Sequence, residues 1–306
     1  MSPGRIVLLT GGTGGAKLAR GIADAFGAQQ LAAIVNTGDD IEIYGAHVSP
    51  DPDLVSFWLA GLIDERGWGL RGDTFAVMDG LRELGVEVWF NLGDRDLAWC
   101  VERSRMLAEG CSPTAALAQL SASIGVAASV LPMSDQPVRT WVETPSRGWT
   151  AFQEFMIRAR AAEPVAGLEY RGAEQASATP EVLDAIASAG AIVLGPSNPL
   201  VSIGPILAVP GIREALIAAP AQVVAVSPIV AGEVLKGPTA AFMEYAGHEL
   251  SATGICTFYG ELLDGIVTDE KPPPGVACLS TNTRMDDAQA RDRLAHETVR
   301  FARTLR

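Results

Sequence analysis

Glycine, lysine and aspartate make the first pattern in this 306-residue chain that could do chemistry. Gly11-Gly12-Thr13-Gly14-Gly15-Ala16-Lys17 stands between an apolar run and a helical stretch. There, glycines let the backbone approach a phosphate and free N–H groups point at it. This is not a Walker loop, because Leu18 stands where the magnesium-binding hydroxyl should be; nor is it GxGxxG, since Lys17 replaces the third glycine. A tight turn needing positive φ is the other use of such glycines. Further on, Asn36-Thr37-Gly38-Asp39-Asp40 carries two adjacent acids where a dinucleotide fold has one for the ribose hydroxyls, and Asp51 and Asp53 come soon after. Four carboxylates beside a phosphate loop suit Mg2+, a hard cation that takes oxygen ligands. One of them could instead accept the proton of an attacking hydroxyl. Each also has a structural use: Asp39 and Asp40 as turn formers, Asp51 or Asp53 as the cap of a helix starting near Leu54.

Three later segments repeat the strand-then-loop pattern. Asn91-Leu92-Gly93-Asp94-Arg95-Asp96 comes directly after Val86–Phe90, and Arg95 could pair with a phosphate or with Asp94 or Asp96. Gly195-Pro196-Ser197-Asn198-Pro199 holds two hydrogen-bonding side chains between rigid prolines, suited to a base or a phosphate, or forms an ordinary proline turn. Ser227 to Pro238 includes Lys236, one of only three lysines; Lys17 is another, so two of the three fall in glycine-rich turns. Trp58, Trp68, Phe75 and Trp89 could line a flat ligand's pocket, although at these spacings core packing is the better reading for most of them.

The elements that would position these residues are those of an α/β protein. Arg5 to Thr10 and Leu31 to Val35 are unbroken apolar runs of strand length, and between them Leu18, Ile22 and Phe26 mark one helix stripe. Strand, glycine loop, helix and strand form a βαβ unit with a right-handed crossover. Val86–Phe90 is expected as a third strand, and Ala191–Leu194 and Val223–Ser227 as later ones. A helix is expected over Phe152–Ala162 and another in the charged tail Asp286–Leu305. The fold class is thus a Rossmann-like, mostly parallel sheet flanked by helices: residues 1–96 and 180–306 form the core, and residues 97–179 a mainly helical inserted subdomain.

Thirty-six acids against 23 bases give a net charge of -13, which repels nucleic acid and anionic membranes, so an anionic ligand needs local donors. The apolar run near Met1 is far too short for a signal or spanning segment, which implies a cytoplasmic protein. Cys100, Cys111, Cys256 and Cys278 lack CxxC spacing and read as buried thiols; His47, His248 and His296 form no zinc pattern.

Taken in order, GGTGGAKLARG, NTGDD, VSPDPD, NLGDRDLA, GPSNP and SPIVAGEVLKGPT resemble the 2-phospho-L-lactate transferase family, including its bacterial phosphoenolpyruvate transferase branch, over nearly the whole chain. The resemblance implies that the terminal ribityl hydroxyl of the deazaflavin Fo attacks a lactyl- or enolpyruvyl-diphosphoguanosine, with magnesium, and that GMP leaves. It carries guanosine-diphosphate binding onto Gly12, Thr13, Gly14, Lys17, Ser197 and Asn198; Lys236 is a candidate anion contact by its glycine-rich turn, unless scarce lysine simply reflects a composition biased to arginine. Metal and hydroxyl-activating roles fall on Asp39, Asp40, Asp51 and Asp53, Asp51 foremost, and acceptor or phosphate contacts on Asn91, Asp94 and Arg95. The family also suggests a homodimer, and its relatives include non-catalytic regulators that bind nucleotide sugars.

Overall fold

A computed structural model describes residues 4–234, 237–271 and 273–305. The two apolar runs at the start become β1 (Arg5–Thr10) and β2 (Leu31–Val35), at the bounds the sequence gives them. They are joined in one sheet by β3 (Ser129–Pro132), β4 (Ala189–Leu194), β5 (Val223–Val226), β6 (Gly265–Thr268) and β7 (Ala277–Ser280). The spatial order is β7-β6-β5-β4-β1-β2-β3, and every pairing is parallel. This is the Rossmann order with one strand added, and its direction of winding reverses between β1 and β4. A crevice therefore opens where the carboxyl ends of those two strands part.

Parallel strands covered by helices on both faces read as continuous apolar runs because both sides are dry. Val7, Leu9, Ala32, Ile34, Ile192 and Leu194 bury on one face, Ile6, Leu8, Leu31, Ala33, Ala191 and Val193 on the other. The second face receives α1 (Gly12–Phe26) through Leu18, Ala19 and Ile22, with Phe26 packed half-buried at its end. Beside it lie α2 (Pro50–Leu59) and the carboxyl-terminal helix Ala288–Thr304, which buries Leu294 and Val299.

Five expectations need correction. Val86–Phe90 is not a strand: the helix Ala76–Glu83 ends in a turn at Gly85, the Val86 N–H donates to the Leu81 carbonyl, and the neighbour of β2 is instead β3. The β-prone composition of this segment finds no pairing partner among the described residues, and Val86 and Glu87 stay exposed at the surface. Asn91 to Asp96 accordingly does not project from the sheet, because Asp94 opens α3 (Asp94–Ala108). The expected boundary between residues 96 and 97 thus cuts a helix. Residues 97–179, expected as mainly helical, also supply β3 to the main sheet and a separate antiparallel sheet of Gly148–Ala151, Arg139–Thr144 and Gly167–Arg171. Lastly, the helix expected over 152–162 is the short α4 (Phe152–Ile157).

Among the described residues no single helix is long and apolar enough to cross a membrane. The bent pair Pro199–Ala208 and Ile212–Ala218 is apolar because Leu200, Ile203, Ile206, Ile212 and Leu216 belong to the core. All four cysteines are free, Cys100 and Cys256 buried.

Candidate active site

The glycine loop and the loop after β4 meet at the crevice, and one side chain joins them. Ser197 Oγ donates to the Gly11 carbonyl at 2.8 Å and accepts the Gly11 N–H at 3.3 Å. Close approach to the loop after β4 and to the end of β1 explains two glycines. A Cβ on Gly14 would lie 2.4 Å from the Pro196 carbonyl oxygen, and one on Gly15 would lie 1.6 Å from Thr10 Oγ1. Gly14→Ala is expected to force these loops apart, costing about 1–3 kcal/mol as overpacking does. Denaturant unfolding would check this, and unchanged stability would refute it.

Asn198 caps the segment after it, its Oδ1 accepting from the Leu200 and Val201 N–H groups at 2.9 and 3.2 Å. Its Nδ2 is buried without a protein partner. A buried donor left unmade costs free energy, which makes this amide an exception in the loop. Lys17 reaches across α1 to donate to the Met285 carbonyl at 3.2 Å, tying the helix to the loop after β7.

The four aspartates divide into three roles. Asp51, in the first turn of α2, has Oδ1 accepting from Gly12 N–H at 2.7 Å and Oδ2 from Asn36 Nδ2 at 2.9 Å. Asn36 also donates to the Val201 carbonyl at 3.3 Å and accepts from the Gly38 N–H at 2.8 Å, so one buried amide links α2 to the loops after β2 and β4. Burial, then the Asp40 charge, pushes Asp51 up to about 6 against the bonds from Asn36 and Gly12. Asp39 stands near it, buried, with Oδ1 lacking any partner; burial and then the Asp51 charge hold its carboxyl well above the usual range.

Asp40 turns the other way. It accepts from Ser49 Oγ at 2.7 Å and meets His47 Nε2 at 3.1 Å, on the wall of a separate cavity of about 250 Å³. Burial pulls His47 down, but Asp40 and Glu42 outweigh it, and the net shift is upward. Asp53 is fully engaged inside the protein: Arg103 grips both its oxygens, Nη1 to Oδ2 at 3.1 Å, and Trp99 Nε1 donates to Oδ1 at 2.8 Å. The geometry makes Asp53 a buried ion-pair partner that fixes α2 against α3.

The main cleft has a volume of about 800 Å³, within the range of small-molecule sites. It brings together Gly12, Thr13, Gly14, Lys17, Asp39, Asp51, Ser197 and Asn198. From the glycine loop it runs over the ends of β4 and β5 to Thr283 and Met285 beyond β7, with Phe152 and Met156 of α4 as its wall. A second chamber of about 270 Å³ adjoins it, lined by Phe75, Phe90, Leu92 and Asp96. Burial, then the charges of Asp53 and Asp73, pushes Asp96 up to about 7.

The NLGDRD residues are not gathered into the main cleft. Asn91 lines the second chamber, with its Oδ1 accepting from Arg82 at 2.8 Å. Asp94 caps the helix Ala76–Glu83, accepting from the Ala76 and Val77 N–H groups at 3.0 and 2.9 Å. Arg95 is exposed, with Nη1 on the Arg71 carbonyl at 3.2 Å. Lys236 lies outside the described residues. Sequence reasoning missed Asn36, the hub of the carboxylate pair, and Thr283, whose buried Oγ1 has no partner. Asn36 opens the NTGDD motif, and its placement directly after β2 was the available signal.

A Rossmann-order sheet, a glycine loop at its switch point and two raised carboxylates facing that loop define an enzyme of the phosphate-handling α/β class. Comparison with known proteins gives the class its particular form. Residues 6–303 match the family described as 2-phospho-L-lactate transferase CofD. The chain is 40% identical to a 2-phospho-L-lactate transferase of Methanosarcina mazei over 87% of each chain. It is 41% identical to a phosphoenolpyruvate transferase of Kitasatospora aureofaciens over 99% of each. A UPF0052-family crystal structure from Bacillus halodurans, 19% identical, shares the fold at a TM-score of 0.63, covering 98% of this chain and 99% of that one. The chain belongs to the 2-phospho-L-lactate transferase CofD family, and it is a transferase.

Proposed function

We propose that this transferase moves the 2-phospholactyl or phosphoenolpyruvyl group of lactyl- or enolpyruvyl-diphospho-5'-guanosine onto the terminal hydroxyl of Fo and releases GMP, acting in the cytoplasm as a homodimer. The observation that carries the reading is Asp51, which faces the glycine loop through Gly12 and lines both the main cleft and the adjoining chamber. A carboxylate there lies between a site for the diphosphate and a site for the acceptor. The acceptor oxygen bonds to the phosphorus that carries the three-carbon acid. The bond from that phosphorus to the oxygen bridging towards guanosine breaks, GMP departs, and the hydroxyl proton passes to Asp51. Glycine-loop N–H groups and Lys17 hold the diphosphate, Asn198 Nδ2 meets an oxygen of the nucleotide, and catalysis is positioning and charge neutralisation.

Asp39 and Asp51 fit a magnesium ion: Asp39 Oδ1 is buried without a partner, and each Asp51 oxygen takes only one protein donor. Asp40 and Asp53 fit less well, their oxygens being held by Ser49, His47, Arg103 and Trp99. A bound magnesium would neutralise charge on the diphosphate oxygens.

The raised carboxyls make magnesium binding depend on pH. A carboxyl whose pKa is raised in the fold stabilises it fully below its unfolded value near 4, and that contribution is lost as pH rises through the folded value. For Asp51 the window closes at about 6. The gain in melting temperature on adding magnesium should therefore be larger at about pH 7.5 than at about pH 5. Equal gains at both would oppose metal binding at this pair.

Turnover of each chemically made donor with Fo, monitored by product mass, tests the whole reading. The expected result is GMP with a phosphodiester of Fo. Binding of guanosine diphosphate without turnover of either donor would favour a non-catalytic nucleotide-sugar regulator.

A further inference from the structure

The two cavities share three lining residues: Asp51, Trp68 and Ile157. Asp51 is buried at their common floor, while Trp68 is 51% exposed and Ile157 39% exposed. Single exposed apolar side chains are common on protein surfaces; what sets these two apart is that both line the two cavities at the junction where transfer would occur. Each reaches it from a different part of the chain. Trp68 sits in a loop closed by the bridge between Ile63 and Leu70, flanked by Gly67 and Gly69 with φ of 82° and 75°. The loop is seated against the phosphate loop, since a Cβ on Gly67 would lie 3.6 Å from Thr13 Cγ2, and the Trp58 indole N–H donates to the Gly67 carbonyl at 3.2 Å. The Arg66 guanidinium stacks 4.4 Å from the Trp68 ring centroid.

Ile157 ends α4, whose other side is anchored in the core by Phe152 and Phe155. The next residue, Arg158, pairs with Glu87 at 2.9 Å and lies 5.7 Å from the Trp89 ring. The helix end is thus tied to residues beside the second chamber, whose wall includes Phe90.

We infer that Trp68 and Ile157 form an apolar gate over Asp51 that keeps water from replacing the acceptor hydroxyl, so that they set the partition between transfer and hydrolysis. The inference rests on the proposed transfer. Chemically, water and a sugar-like hydroxyl are near equals as nucleophiles towards the activated phosphorus. If water attacks, its oxygen bonds to that phosphorus, GMP leaves as before, and the product is the free phosphorylated three-carbon acid. A transferase must therefore exclude water from the junction until an acceptor fills it, and two exposed apolar side chains shared by both cavities are placed to do so.

The test uses the full-length protein with magnesium and both guanosine-linked donors, measuring GMP release with and without Fo and resolving both products by mass. Trp68→Ala is expected to raise the hydrolysed share of total turnover by about tenfold or more. Ile157→Ala should act in the same direction, and Trp68→Phe, which keeps a flat apolar cover, should restore most of the partition. Transfer and hydrolysis falling together in Trp68→Ala, while the unaltered protein transfers normally, would overturn the gate and leave the transferase reading standing. Absence of transfer in the unaltered protein would overturn that reading and the gate with it.

Discussion

Asp51→Asn is expected to lower kcat for group transfer by about a hundred- to ten-thousandfold, the range lost with a positioned general base, while guanosine diphosphate still binds. The reason lies in what the side chain touches. Its Oδ1 holds the Gly12 N–H and its Oδ2 the Asn36 amide. The amide variant keeps the shape and one acceptor, but it loses the charge, the proton-accepting capacity and a ligand oxygen for magnesium. Because Asn36 Nδ2 would then face another amide, melting and nucleotide affinity should be recorded beside kcat. A loss of kcat at preserved affinity assigns Asp51 to the chemistry; a variant that turns over normally would remove it from the mechanism.

Arg103→Met is expected to be strongly destabilising, costing about 3–5 kcal/mol, because it leaves a buried carboxylate without its counter-charge. Asp53 and Arg103 are 4% exposed each, so solvent cannot take over. Asp53 shares the first turn of α2 with Asp51, and loss of the pair should also blur the geometry at Gly12. The double variant Asp53→Leu with Arg103→Met should recover much of the loss, since replacing a buried pair by apolar groups is tolerated far better than breaking it. Urea midpoints of the three proteins decide the matter. A single variant as stable as the unaltered chain would contradict the assignment of Asp53 to a structural ion pair.

Much of the crevice was legible because its residues lie at strand ends. Strands buried on both faces announce themselves as short apolar runs, and the loops leaving the carboxyl ends of parallel strands must emerge at one edge of the sheet. That logic brought the glycine loop, Asp39, Asp51, Ser197 and Asn198 correctly to one cleft. It failed at Val86–Phe90, where composition suited a strand but the segment leaves its helix through a turn and pairs with no described strand. The same error placed Asp94 and Arg95 at the edge of the sheet, whereas Asp94 caps a helix and Arg95 is exposed on the surface. Local pattern also could not tell Asp51 from Asp53. Both occupy the first turn of α2, and only the arrival of Arg103 and Trp99 from α3 separates an ion pair from a reactive carboxylate. Trp68 illustrates the converse: spacing left it open between the core and a ligand pocket, and the glycines on either side hold it at the mouth of two cavities.

The most direct test is a crystal structure of the protein with Fo and a donor analogue whose bridging oxygen is replaced so that GMP cannot leave. The account predicts the guanosine diphosphate portion along the glycine loop, and the terminal hydroxyl of Fo within about 3.2 Å of an Asp51 oxygen, the reach of a general base. An acceptor hydroxyl seated instead on the Asp40 and His47 side, with Asp51 touching neither ligand, would contradict it.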